Sequence, residues 1–98
     1  MSVYSQFAIA VGDDWGAWIT GGGPFDKLDV LPLSGDVLAQ FRVQSSAQPE
    51  QGKPFRAGIP TSLPGLTDVW SPYGPNAVRF KRRVAGIGAT VDVDLWSA

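Results

Sequence analysis

Lys81-Arg82-Arg83 is the densest run of charge in the chain. A basic run is the electrostatic footprint of a nucleic-acid surface. Strand alternation, however, would send Arg82 to the face opposite Lys81 and Arg83. No aromatic is interleaved on the same face for stacking on bases, and Asp92 and Asp94 lie close enough in sequence to neutralise part of it. The run therefore reads as a solvated or paired sheet face, with no nucleic-acid partner. Asp13-Asp14, Asp26 with Asp29, and Asp92 with Asp94 offer oxygens to a cation, but calcium wants six to eight of them. None of these pairs follows the spacing of a calcium loop. Turn formation by Asp13-Asp14 and ion pairing by Asp92 and Asp94 explain them more simply. Gly21-Gly22-Gly23 is followed by no Lys-Ser/Thr and opens no helix, so it reads as a turn and not a phosphate loop. The four tryptophans, Trp15, Trp18, Trp70 and Trp96, could stack on sugars together with Tyr73. Residues of this kind more commonly serve as core or as anchors of a protein interface.

The chain has no Cys and no His. That excludes a disulfide framework, a Cys/His zinc site, a thiol nucleophile and an imidazole base. General acid–base work would fall to carboxylates, Lys or Tyr, and no serine has a base beside it in a recognisable pattern. The expectation is a protein that is not an enzyme and carries no metal or cofactor. A net charge of −1 gives no general attraction to nucleic acid or anionic membrane. No run of 18 apolar residues is present to form a membrane-spanning helix. Residues 1–12 lack a basic start and a clear apolar stretch and are not read as a signal peptide. With 98 residues, 44% of them hydrophobic and 17% charged, the chain fits one globular domain, residues 1–98, that buries roughly two thirds of its unfolded surface.

The elements that must position these residues are strands. No long stretch has a period of 3.6, while several have a period of two. Val3, Phe7, Ile9 and Val11 share one face of a first strand, and Gly12-Asp13-Asp14 turns the chain. Trp15 to Thr20 is a short strand. Leu28 to Leu33 is another, which Pro32 either ends or confines to a sheet edge. Val37, Ala39, Phe41 and Val43 mark a half-buried strand. Residues 45–76 are rich in Pro and Gly and read as a long extended segment, with a short strand at Leu66 to Trp70 or with the segment laid on a partner. In the C-terminal part, Val78, Phe80, Arg82 and Val84 alternate with Arg79, Lys81 and Arg83. Val91, Val93 and Leu95 alternate with Thr90, Asp92 and Asp94. A hairpin over 77–96 that pairs Val84 with Ala89 would set Lys81 against Asp92 and Arg79 against Asp94, and on its other face Phe80 against Val93 and Val78 against Leu95. The fold expected is all-β, a small antiparallel sandwich or barrel of about six or seven strands with this C-terminal hairpin and a long Pro-rich loop.

The segment Ser71-Pro72-Tyr73-Gly74-Pro75-Asn76-Ala77-Val78-Arg79-Phe80-Lys81, then Val84-Ala85-Gly86, then Ala89 to Trp96, resembles the C-terminal strands of small β-rich structural proteins of tailed bacteriophages. The resemblance covers residues 71–98. Arg82 and Arg83 depart from the small or polar residues usual there, and no functional residue is carried over. It implies a virion protein, with capsid decoration (cement) first and attachment to a tail or fibre second. Its partners would be other capsid or tail subunits and further copies of itself, a trimer being the candidate state. The interface residues expected on the long segment are Phe55, Ile59, Leu63, Leu66, Trp70 and Tyr73. A glycan-binding β-sandwich using exposed tryptophans is the alternative from a different class.

Overall fold

The computed structural model describes residues 2–21, 24–43, 46–47, 53–66, 75–86 and 88–97. Every extended element among them is a β-strand: β1 (Ser2–Val11), β2 (Ile19–Thr20), β3 (Lys27–Pro32), β4 (Val37–Val43), β5 (Ser46–Ala47), β6 (Lys53–Phe55), β7 (Thr61–Leu63), β8 (Ala77–Arg82) and β9 (Ala89–Ser97). They form two antiparallel sheets. The first has the order β1-β9-β3-β7. In the second, β8 lies between β2 and β4, and the far edge of β4 takes β6 along Val37–Ala39 and β5 along Arg42–Val43. The expected all-β sandwich is therefore the fold.

Alternation decides which side chains face inward. Leu28 and Val30 of β3 and Val91, Val93 and Leu95 of β9 form the inner face of the first sheet, all at most 2% exposed. Val37, Ala39 and Phe41 of β4 and Val78 and Phe80 of β8 form that of the second, all at most 3% exposed. Phe25 reaches Phe41 at 6.5 Å between ring centroids, within the range of favourable aromatic pairs. Each of these Val, Leu and Phe side chains contributes roughly 1.5–3 kcal/mol by leaving water.

Two expectations need correction. The C-terminal strands lie where alternation put them and fold back across a short connection, but β8 and β9 do not pair with each other. β8 hydrogen-bonds to β2 and β4, while β9 hydrogen-bonds to β1 and β3. The register is Arg79 against Gln40 and Lys81 against Leu38 on one sheet, and Asp94 against Asp29 and Asp92 against Leu31 on the other. The ion pairs Lys81–Asp92 and Arg79–Asp94 are thus absent. The chain passes from one sheet to the other between them, and the apolar faces of both strands are buried in the common interior.

The first strand is also less regular than its sequence. Its register against β9 shifts between Gln6 and Ile9, and Ala8 there has φ 54°. This bulge changes which residues point inward. Ile9 and Val11 lie opposite Val91 and Ala89, whereas before the bulge it is Tyr4 and Gln6 that lie opposite Leu95 and Val93. Val3 and Phe7 consequently face outward, at 47% and 69% exposure.

Within 45–76, the described residues are docked on the body of the fold. Strands β5, β6 and β7 pair onto both sheets. Leu66 N–H donates to the Asp26 carbonyl at 2.8 Å, and the Pro75 carbonyl accepts from Phe25 N–H at 2.9 Å. Pro32 ends an interior strand, not an edge. The expected strand at Leu66 to Trp70 lies, beyond Leu66, outside the described residues.

Leu28→Ala should lower stability by about 2–5 kcal/mol, read as a fall in the urea midpoint. Ala8→Gly should raise it by about 0.5–1 kcal/mol, because glycine adopts positive φ without the steric cost alanine carries. A lower melting temperature for Ala8→Gly would contradict the bulge.

Candidate functional site

Two sheets packed on their apolar faces leave two outer faces, and each carries charge of a different sign. On the second sheet, alternation turns Gln40 and Arg42 of β4 and Arg79 and Lys81 of β8 outward. Gln40 and Arg79 are direct cross-strand partners, and Arg79 Nε donates to Gln40 Oε1 at 2.6 Å. Arg42 Nε donates to Asn76 Oδ1 at 3.3 Å.

The stretch from Gly12 to Thr20 runs beside β8 as a continuation of the ladder. Gly16 N–H donates to the Phe80 carbonyl at 3.0 Å, and the Gly12 carbonyl accepts from Arg82 N–H at 2.8 Å. This stretch carries Trp15 and Trp18 onto the outer face. The Arg79 guanidinium lies 4.3 Å from the Trp18 ring centroid and 5.4 Å from that of Trp15. Arg42 lies 5.2 Å from Trp18, and Lys81 lies 5.0 Å from Trp15. The result is an alternating ladder, Lys81–Trp15–Arg79–Trp18–Arg42, in which the electron-rich ring faces separate like charges. Each contact is worth about 0.5–1 kcal/mol where exposed and up to about 2 where dry. Among the described residues, no carboxylate pairs with Arg42, Arg79 or Lys81.

The outer face of the first sheet is acidic. Asp29 of β3 and Asp94 of β9 are direct neighbours across the ladder. Asp29 is engaged on both oxygens: Trp96 Nε1 donates to Oδ2 at 2.8 Å and Ser62 Oγ to Oδ1 at 2.5 Å. Lys27 Nζ lies 3.9 Å from Asp29 Oδ2 and 5.3 Å from the Trp96 ring centroid. Asp92 Oδ1 accepts the Ala8 N–H at 2.7 Å and so holds the β1 bulge. An open groove of about 330 Å³ runs here, lined by Phe7, Asp29, Leu31, Ser62, Asp92 and Asp94 among others. Such a surface can take a cationic or hydrogen-bond-donating group. Among the described residues, no group of three or more potential ligands converges to hold a metal ion.

At the rim, Arg82 Nε donates to the Val11 carbonyl at 2.8 Å, and its NH1 reaches Asp13 Oδ1 at 3.2 Å. The same oxygen accepts the Gly86 N–H at 3.0 Å. These donors, the Gly86 amide first and then the Arg82 guanidinium, hold the Asp13 carboxyl below its ordinary value. Asp36 accepts the Ala57 N–H at 2.9 Å and lies 3.9 Å from Arg83. The basic run is thereby split among an outer face (Lys81) and two rim contacts (Arg82 and Arg83).

The expected interface residues are not one surface. Phe55 and Leu66 are core residues, 1% and 5% exposed, and Leu63 packs against that core. The first two are closed to any partner because the sandwich consumes them. Ile59 is 51% exposed. Trp70 and Tyr73 lie outside the described residues. Sequence reasoning missed the Trp15–Trp18 ladder and the outward Phe7. The signal for the ladder lay in Gln40-x-Arg42 and Arg79-x-Lys81, two strands each turning a polar pair to one side. Reading Asp92 and Asp94 as their partners concealed it.

No protein-family model matches this chain, and no curated protein matches it either.

Arg79→Met should cost about 1–3 kcal/mol, since it removes two ring contacts and the bond to Gln40. The tryptophan emission should shift with it, and Arg79→Lys should fall between. The Asp13 carboxyl has a lower pKa folded than unfolded. Its contribution is therefore complete above the ordinary aspartate value of about 3.9 and is lost as pH falls through the lower folded value. Asp13→Asn should flatten the stability curve in that acid window alone, as followed by urea midpoints against pH.

Proposed function

We propose that this chain is a non-enzymatic structural component of a bacteriophage virion, a capsid decoration subunit before a tail- or fibre-attached one, that joins its neighbours through its sheet faces. The observation that carries the assembly reading is Phe7. It is 69% exposed on a bulged strand pinned by Asp92, beside an open groove. A large aromatic held outward by a fixed backbone is how an interface anchor is presented. Leu33, Ile59 and Val84 add further exposed apolar surface. The virion part of the proposal draws on the resemblance of residues 71–98.

Trp15 and Trp18, half-buried on an outer face, favour a second reading as a glycan-binding module. The rings already carry Arg42, Arg79 and Lys81 at 4.3 to 5.4 Å, so a sugar would have to stack against what remains open.

The test is light scattering after size exclusion and co-sedimentation with purified capsid shells and tails. The expected outcome is self-association or saturable binding to shells, weakened at least tenfold by Phe7→Ala with the melting temperature unchanged. A monomer that ignores shells and tails overturns the virion reading. Quenching of tryptophan emission by one member of a neutral sugar panel would establish the second reading in its place.

A further inference from the structure

We infer that the acidic outer face of the first sheet docks onto the basic, tryptophan-bearing outer face of the second sheet in another copy of the same chain. The inference rests on the assembly reading and specifies its contact.

Charge complementarity is the main ground. Arg42, Arg79 and Lys81 stand on one face with two indole rings between them and no described carboxylate paired to them. Asp29, Asp92 and Asp94 line the groove of the other face, where only Lys27 approaches as a cation among the described residues. The net charge of the whole is −1, so the two faces are unlike while the chain is nearly neutral. A polyanion would satisfy the basic face alone and leave the acidic groove unexplained; a second copy satisfies both.

Phe7 completes the fit. It lines the acidic groove and is 69% exposed. An aromatic ring beside carboxylates offers an incoming Arg or Lys both a π face and a counter-ion.

The edges argue against the other common route, strand addition. The edge strands β2, β5, β6 and β7 are two or three residues long, and the long edge strand β1 is broken by its bulge. Both devices discourage edge pairing. Unlike faces on opposite sides make a heterologous contact, which adds copies along one axis and does not close a two-fold dimer. Copies joined this way form a column, not a ring of three.

The experiment uses Asp94→Lys and Lys81→Glu, each tested for folding by thermal melts and then by light scattering across a concentration series. The wild-type chain should pass beyond dimer as concentration rises, and should dissociate between about 50 and about 500 mM NaCl as screening weakens the contact. Each variant alone should associate at least tenfold more weakly. Mixed in equal amounts the two should associate again, because each retains the native face that the other lacks; misfolded variants could not do so. Phe7→Ala should weaken wild-type association as well.

A wild-type chain that stays monomeric throughout overturns the inference. So does association that neither variant alters, or binding of heparin or a homopolymeric RNA by a monomer that Lys81→Glu abolishes. Shell binding that survives both variants would leave the assembly reading standing and remove only this contact.

Discussion

The apolar face of each sheet is buried on that of the other, and that contact sets everything else. Such burial is the main favourable contribution to folding. The competition is clearest at β8 and β9. Paired as a hairpin they would gain two surface ion pairs, each worth about 0–1 kcal/mol. Placed on opposite sheets they bring Val78, Phe80, Val91, Val93 and Leu95 into a common interior, each at most 3% exposed and each worth roughly 1.5–3 kcal/mol. Burial alone does not separate the two, since a hairpin would gather the same side chains on one face; the adopted arrangement places β8 between β2 and β4 and β9 between β1 and β3, and it sorts the charges as a by-product. Arg79 and Lys81 leave with one sheet; Asp92 and Asp94 leave with the other.

Much of this was legible in the residues. Alternation located the inner residues of β4, β8 and β9, the absence of helical period gave the all-β class, and Gly12-Asp13-Asp14 marked a turn. The rest was hidden for physical reasons. Period two states which residues share a face but not which strand lies alongside, so the sheet assignment of 77–82 and 89–97 was undetermined by pattern. A bulge leaves no reliable mark in an alternating run, and Ala8 is no glycine to announce positive φ. The Pro-rich composition of 45–76 read as a long extended segment and did not show that strands of two or three residues dock its described parts, with Phe55 and Leu66 as their share of the core. Trp15 and Trp18 could be counted but not placed: the strand expected over Trp15 to Thr20 is regular only at Ile19–Thr20, and the stretch before it has no period to aim its rings.

The aspartates show how much of the polar surface is already committed. Asp13 gathers Arg82 and the Gly86 amide, Asp36 gathers Ala57 and Arg83, and Asp92 restrains the bulge. These bonds fasten loops at points where backbone groups would otherwise lack partners. Among the described residues, Asp94 beside Asp29 on one broad surface and the cations stacked on indole on the other fasten no loop in this way.

The position of β9 has a consequence for biosynthesis. It is an interior strand of its sheet, held between β1 and β3, yet it follows all the other strands in sequence. On the ribosome β1, and the edge of β3 that β7 does not take, must wait for their partner until residues 89–97 emerge. Pairing Ser2 with Ser97 closes nearly the longest loop this stretch of chain allows, and such non-local closure is slow. Nascent chains therefore pass through an interval of exposed, adhesive strands, and crowded translation of many copies would reward anything that shields them until the last ribbon slides into place.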